Sequence, residues 1–201
     1  MADVRQISPA RFLALRSEHI VAQMFWIVTF ALATALGAQL EIPHQPIPYT
    51  FQTLFVLMAG GMLGWRNGFL SMLFYLGLGV AGAPVFSGAG FGLARLLGPS
   101  GGYLLGFPIA AFLIGYLVSF RPDGIAHMRG KYLRILATYG WMGGSMSLGL
   151  LVIFLIGTMQ LNAVYFHNWT SSFQSGFLIF SWWDTLKLVA ATAICGEFRR
   201  S

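Results

Sequence analysis

Long apolar runs dominate the chain, with neither the two-residue alternation of a half-buried strand nor the 3.6-residue stripe of a surface helix. Residues 20–40 carry no charge and are long enough to cross a bilayer as one helix, which takes about 20 apolar residues. The stretch 41–48 then places three prolines within six residues, which regular helix does not tolerate. A second, shorter apolar segment covers 49–64 and stops at Trp65-Arg66-Asn67, and a third covers 68–80. Residues 81–102 are rich in glycine and proline, predicting a long loop or partly re-entrant segment, tolerable at membrane depth only when shielded by protein or lining a cavity. The fourth span is placed at 103–120 and the fifth at 135–158. A polar connection covers 160–174, and the sixth span is placed at 175–196. Continuous apolarity also disfavours a membrane barrel, whose strands alternate over about ten residues. The expected fold is all-α: a polytopic membrane protein with six transmembrane helices. Residues 1–201 form a single integral membrane domain, in which 1–19 precede a six-helix bundle at 20–196 and 197–201 form a tail.

Composition excludes a soluble domain. Of 201 residues, 57% are hydrophobic and 9% charged, against about 25% charged in soluble proteins. Mean hydropathy is +0.71. The net charge of +6 would suggest an acidic partner in a soluble protein, but here its distribution decides. Arg5, Arg11 and Arg16 precede the first span, and Arg66 lies between spans two and three. Arg121, Arg129, Lys131 and Arg134 lie between spans four and five, and Arg199 and Arg200 follow the sixth. All ten fall on one side, so the positive-inside rule predicts cytoplasmic termini, with loops 41–49, 81–102 and 159–174 facing outward. The expected setting is the lipid bilayer of a cell membrane, a bacterial plasma membrane, with no nucleic-acid partner. A cleavable leader ending near Ala31-Leu-Ala33 is the competing reading of the first run; its full spanning length and the spans that follow favour a retained helix. The single Cys195 excludes an internal disulfide.

Arg95 and Lys187 are the two basic residues outside that pattern. Lys187 lies three residues after Asp184 within the sixth apolar run, so the two share a helix face, with Phe180, Trp182 and Trp183 just before them. Ionisable groups inside a membrane are costly and mark functional sites by default, although a neutralised pair that only fixes helix packing is the simpler alternative. Arg95 offers a fork of donors for a carboxylate in an outward loop. Gln52, Asn162 and Asn168 supply neutral hydrogen-bonding groups. Aromatic residues cluster at the outer span ends, Phe86, Tyr103 and Trp183 among them. Most fit an interfacial belt, and a subset near the polar groups could wall a pocket. On the first span, Ala31 and Ala35, with Ala33 and Gly37 offset, form small-residue ridges suited to close helix packing or to another membrane subunit. No phosphate-binding lysine loop, nucleophile elbow, cysteine cluster or paired histidines occur in the sequence. Neither a metal nor a cofactor is expected, and no catalytic residues are assigned. An intramembrane enzyme using Asp184 and Lys187 is the alternative from another functional class.

Several motifs occur together in order: Pro46-Ile-Pro-Tyr-Thr-Phe-Gln52-Thr, Leu63-Gly-Trp-Arg-Asn-Gly68, residues 75–82, Pro84-Val-Phe86, and Gly98-Pro-Ser-Gly-Gly-Tyr103-Leu-Leu-Gly-Phe107. With the Asp184-x-x-Lys187 pair on the last helix, they resemble the BioY family, the biotin-binding S components of energy-coupling factor transporters. The resemblance implies a six-helix subunit that captures biotin from outside. It works with a transmembrane coupling subunit and two ABC-type ATPase subunits, which supply the energy, so the chain itself is not expected to be an enzyme. Asp184 would accept the ureido N–H groups, Lys187 would donate to the ureido carbonyl with help from Gln52, and Arg95 would attract the carboxylate. Phe86, Tyr103 and Trp183 would be walls, and Ala31 and Ala35 would match the coupling-subunit ridge. A subunit for another small carboxylated vitamin is the alternative within the class. The family's usual Pro-Val-Pro, Gly-Pro-Thr and Pro-Gly are replaced here by Pro46-Ile-Pro48, Gly98-Pro-Ser100 and Trp182-Trp183.

Overall fold

A computed structural model describes residues 20–120, 122, 125, 130–178 and 182–200, with side chains to residue 198. Segment 1–19, Phe180 and the basic residues Arg121 and Arg129 lie outside the described residues.

Helix α1 (Ile20–Gln39) leads to two short antiparallel strands, β1 (Glu41–Ile42) and β2 (Tyr49–Thr50), paired Glu41 to Thr50 and Ile42 to Tyr49. The proline-rich residues between them are the connection. Helix α2 (Gln52–Met58) runs into a π-helical turn at Ala59–Leu63, and α3 (Gly64–Val80) follows. The chain breaks at Gly64, just before the expected Trp65-Arg66-Asn67. There φ is 75° and ψ is −179°, a conformation essentially confined to glycine.

The glycine-rich segment is more ordered than a plain loop. A 3-10 turn at Ser87–Ala89 and a short helix α4 (Leu93–Leu97) fold back on the bundle. Gly92 N donates to Gly79 O at 2.7 Å. From α1, Gln39 grips the turn, with Nε2 donating to Phe86 O and Oε1 accepting from Ala89 N, each at 3.1 Å.

Helix α5 (Gly101–Ser119) is the most buried span and packs against α3 and against α6 (Lys131–Leu161). Glycines set that contact: a Cβ on Gly102 would lie 2.6 Å from Ile156 O, and one on Gly106 would lie 3.0 Å from Ile153 Cα. Small residues at intervals of four let the backbones approach closely, and dispersion does the rest where burial from water offers no driving force.

The expected polar connection at 160–174 is largely helical. Helix α6 continues through a π-helical turn at Asn162–Phe166. Helix α7 (Trp169–Ser172) and another π-helical turn, Phe173–Phe177, follow. Its polar residues satisfy backbone ends rather than solvent: Asn168 Oδ1 accepts from Thr170 N and Ser171 N, and Gln160 Nε2 donates to Leu96 O and Gly98 O. The last helix, α8 (Trp182–Arg200), extends past the expected end at 196 and absorbs most of the expected tail.

The described residues contain three helices long and apolar enough to cross a membrane: α1, α5, and α6 with its extension to Phe166. The pieces Trp169–Phe177 and Trp182–Phe198, bent by 48°, make a fourth if joined. The second expected span is a seven-residue helix plus a five-residue π-helical turn, and the third has 17 residues.

Candidate ligand-binding site

The start of α2 and the first turns of α8 meet at one buried ion pair. Lys187 Nζ lies 2.6 Å from Asp184 Oδ1 and also donates to Thr50 O at 2.9 Å and to Thr53 Oγ1 at 2.8 Å. Asp184 is 4% exposed and Lys187 7%, so neither charge is solvated by bulk water. The three protons of the ammonium are therefore each matched by an acceptor, the condition under which a buried cation is tolerable.

Gln52, 4% exposed, faces the same space. Its Oε1 accepts from Thr50 Oγ1 at 2.8 Å, and its Nε2 donates to the Tyr75 hydroxyl, which in turn donates to Val85 O at 3.2 Å. A chain of hydrogen bonds thus runs from β2 through α2 and α3 to the segment after α3, and each member polarises the next.

Thr50, Gln52, Thr53, Asp184 and Lys187 line a cavity of about 70 Å³, and Tyr75 stands behind it. Tyr103, Leu104 and Phe107 from α5 and Ile153 and Phe154 from α6 form its apolar side. The Tyr103 ring meets Phe154 edge-on at 6.0 Å, and its hydroxyl donates to Gly176 O at 2.9 Å, tying α5 to the segment after α7. Ser87 closes the cavity from the 3-10 turn. An apolar chamber with a few converging polar groups is the usual form of a small-molecule site.

The structure brings Gln52, Tyr103, Asp184 and Lys187 together on this cavity. Arg95 stands apart, on the wall of a wider basin further out. Its Nη2 donates to Ser87 O at 3.0 Å and to Ser87 Oγ at 3.1 Å, so it reaches the cavity through Ser87. Phe86 is fully buried behind the cavity, its ring pressed on Gly79 and edge-on to Tyr75 at 5.5 Å. Trp183 stacks on Trp182 at 4.1 Å outside the cavity lining.

Ala31 and Ala35 require a correction. They are 0% and 9% exposed and pack inward against the core, so they form no open ridge. The outer face of α1 presents Val28, Leu32 and Leu36 instead. Apolar residues surround the whole helix, so its sequence alone does not tell the packed stripe from the open one.

Thr53, Tyr75 and Ser87 were not anticipated as site residues. Thr53 sits beside Gln52 in one quoted motif and Tyr75 opens another, which were usable signals; Ser87 is an ordinary residue in a glycine-rich run.

Comparison with known proteins agrees with this architecture. A family model described as the BioY family matches residues 8–201. The chain belongs to the BioY family. Among BioY relatives, the "Probable biotin transporter BioY" of Pyrococcus horikoshii is 39% identical over 168 residues, covering 84% of this chain and 89% of that one. The "Biotin transporter BioY" of Thermotoga maritima is 34% identical over 171 residues, covering 85% and 92%. A crystal structure of the S-component for biotin from an ECF-type ABC transporter superposes with a TM-score of 0.75 at 25% identity, covering 94% of this chain and 96% of that one.

Proposed function

We propose that this chain is the substrate-capturing membrane subunit of a biotin uptake transporter. The observation that carries the proposal is the compensated Asp184–Lys187 pair on a mostly apolar cavity, faced by Gln52 and Thr53. Biotin offers complementary chemistry: a neutral ureido group with two N–H donors and a carbonyl acceptor, an apolar thioether ring, and a carboxylate tail. Asp184 accepts the ureido N–H groups, and Lys187 exchanges one of its threonine contacts for the ureido carbonyl. Gln52 assists, Tyr103 walls the ring, and Arg95 draws the carboxylate toward the mouth. Phe86 supports the wall from behind through Tyr75, and Trp183 stiffens the entry of α8 through its stack on Trp182.

In the cell membrane, the finer topology we infer has six crossings with both ends cytoplasmic. The distribution of basic residues supports it, with Arg66 between the second and third spans and Lys131 and Arg134 between the fourth and fifth. The two short middle crossings are compatible with it because the β1–β2 hairpin and the Ser87–Ala89 turn carry the chain back into the bundle. The likeness to the S-component of an ECF-type ABC transporter supports partner subunits: a transmembrane coupling subunit and two ABC-type ATPase subunits would drive release inward.

Equilibrium binding of labelled biotin to the purified chain, with unlabelled biotin and other carboxylated vitamins as competitors, tests the proposal. Saturable, biotin-selective binding without nucleotide is expected. A folded sample that binds none, or that prefers another vitamin, refutes it.

A further inference from the structure

Beyond the inner cavity lies the basin that holds Arg95, about 690 Å³ in volume. The two spaces share Pro48 and Ser100 in their walls, so they adjoin. Its remaining walls are unlike the apolar chamber inside. Glu41 from β1 and Arg95 from α4 put opposite charges on it, and His44 and Tyr165 add hydrogen-bonding groups. The two charges flank a single turn: a Cβ on Gly88 would lie 3.5 Å from Glu41 Oε1, and one on Gly90 would lie 3.1 Å from Arg95 Nε. Arg95 Nη2 is held by Ser87, and its Nε has no hydrogen-bond partner among the described residues. Prolines at 43, 46, 48 and 99 stiffen the rim, which limits the entropy lost on binding.

In the pose proposed above, free biotin reaches the basin only with its tail carboxylate, and the basin is larger than that group needs. We propose that the basin is a second subsite, which accepts amide-extended forms of the same vitamin ending in an amino acid. This rests on the biotin reading above. An amide at the vitamin's tail places a neutral group where free biotin carries a charge, and a neutral amide is far cheaper to desolvate. The amino-acid end beyond it carries a carboxylate for Arg95 and an ammonium for Glu41. A polyanion would meet one cation and be repelled by Glu41, so a zwitterion matches the basin better.

The test is displacement of labelled biotin from the purified chain by three competitors: biotin, its primary amide, and Nε-biotinyl-lysine. Both amides lack the tail carboxylate, and the lysine conjugate alone carries the zwitterion. Partly exposed ion pairs give modest gains, so the conjugate is expected to bind about fivefold more tightly than the primary amide. Glu41→Gln is expected to reduce that ratio to about half or less. Raised salt reduces the same ratio in the unaltered chain. Equal or weaker binding of the conjugate, or a ratio indifferent to both Glu41→Gln and salt, overturns the subsite. Failure of labelled biotin itself to bind overturns the biotin reading instead, so the two failures are separate.

Discussion

Lys187→Met asks whether the buried pair serves the ligand or only the fold. Methionine keeps the length and the apolar stem but removes the contacts at 2.6, 2.8 and 2.9 Å to Asp184, Thr53 and Thr50. Asp184 then remains as a buried carboxylate that has lost its ammonium, a situation that costs about 3–5 kcal/mol. For a chain of this size each kcal/mol is worth about 2–4 °C, so the unfolding midpoint falls by about 6–20 °C. Adding Asp184→Asn removes the stranded charge and is expected to return at least half of the loss. Biotin binding does not return with it. The double variant still lacks the carboxylate acceptor and the ammonium donor, and losing two such charge-assisted contacts, worth about 1.5–3 kcal/mol each, weakens binding about 100-fold or more. Thermal unfolding and equilibrium biotin binding on the same preparations separate the two effects. A double variant that regains stability and binds biotin as the unaltered chain does refutes the ligand role and leaves the pair as a packing device.

Three further outcomes follow from particular contacts. A Cβ at Gly157 would lie 2.4 Å from the Tyr103 ring, so Gly157→Ala must move that cavity wall by about 1 Å to reach ordinary contact at about 3.5 Å. Biotin affinity should fall about tenfold by equilibrium binding with helix content unchanged by circular dichroism, and Tyr103→Leu added to it should recover the helix packing, read as the thermal midpoint, but not the affinity. Gln52→Leu strands the Thr50 hydroxyl and leaves the Tyr75 hydroxyl only its bond to Val85 O, at about 1–3 kcal/mol, and titration calorimetry should record an affinity loss of about tenfold or more. Gly64→Ala meets no atom within 4 Å, so its cost is purely that of φ +75°, about 1–3 kcal/mol, seen as a lower unfolding midpoint with biotin affinity nearly unchanged.

The ion pair was legible because charges inside an apolar run are costly enough to need a reason, and Asp184 and Lys187 were three residues apart. Gln52 was legible for the same reason in weaker form. Tyr75 stood in a quoted motif but its role was not read from it, and Ser87 was not legible, since a hydroxyl in an apolar run is usually satisfied by a nearby carbonyl, as Ser145 is by Trp141 O. Helix boundaries at prolines were read well, whereas the helical path through 160–177 was not. Its polar residues looked like a solvated connection, yet Gln160, Asn162 and Asn168 bond to the protein itself. The most visible small-residue ridge was on α1, but close backbone approaches involve Gly115 of α5 against Trp65 N of α3, where a Cβ would lie at 2.3 Å, and Gly102 of α5 against Ile156 O of α6, at 2.6 Å. Spacing marks a surface that permits close packing; which neighbour uses it depends on the tertiary arrangement.

The charge state of the cavity argues for the orientation of its ligand. Asp184 and Lys187 cancel at 2.6 Å, so the inner end holds no net charge, and its other polar groups, Gln52, Thr50 and Thr53, are neutral. A charged ligand head placed there would have to break that compensation and leave one buried ion unpaired. A neutral ring with both donors and acceptors does not: it exchanges one hydrogen bond for another on each partner, at nearly constant polar energy. The favourable part of binding must then come from apolar burial against Tyr103, Phe107 and Phe154. Among the described residues that line the basin, Arg95 offers the opposite charge for a carboxylate tail, which favours a tail directed outward. Ring inward and tail outward is therefore the pose in which every buried group keeps a partner.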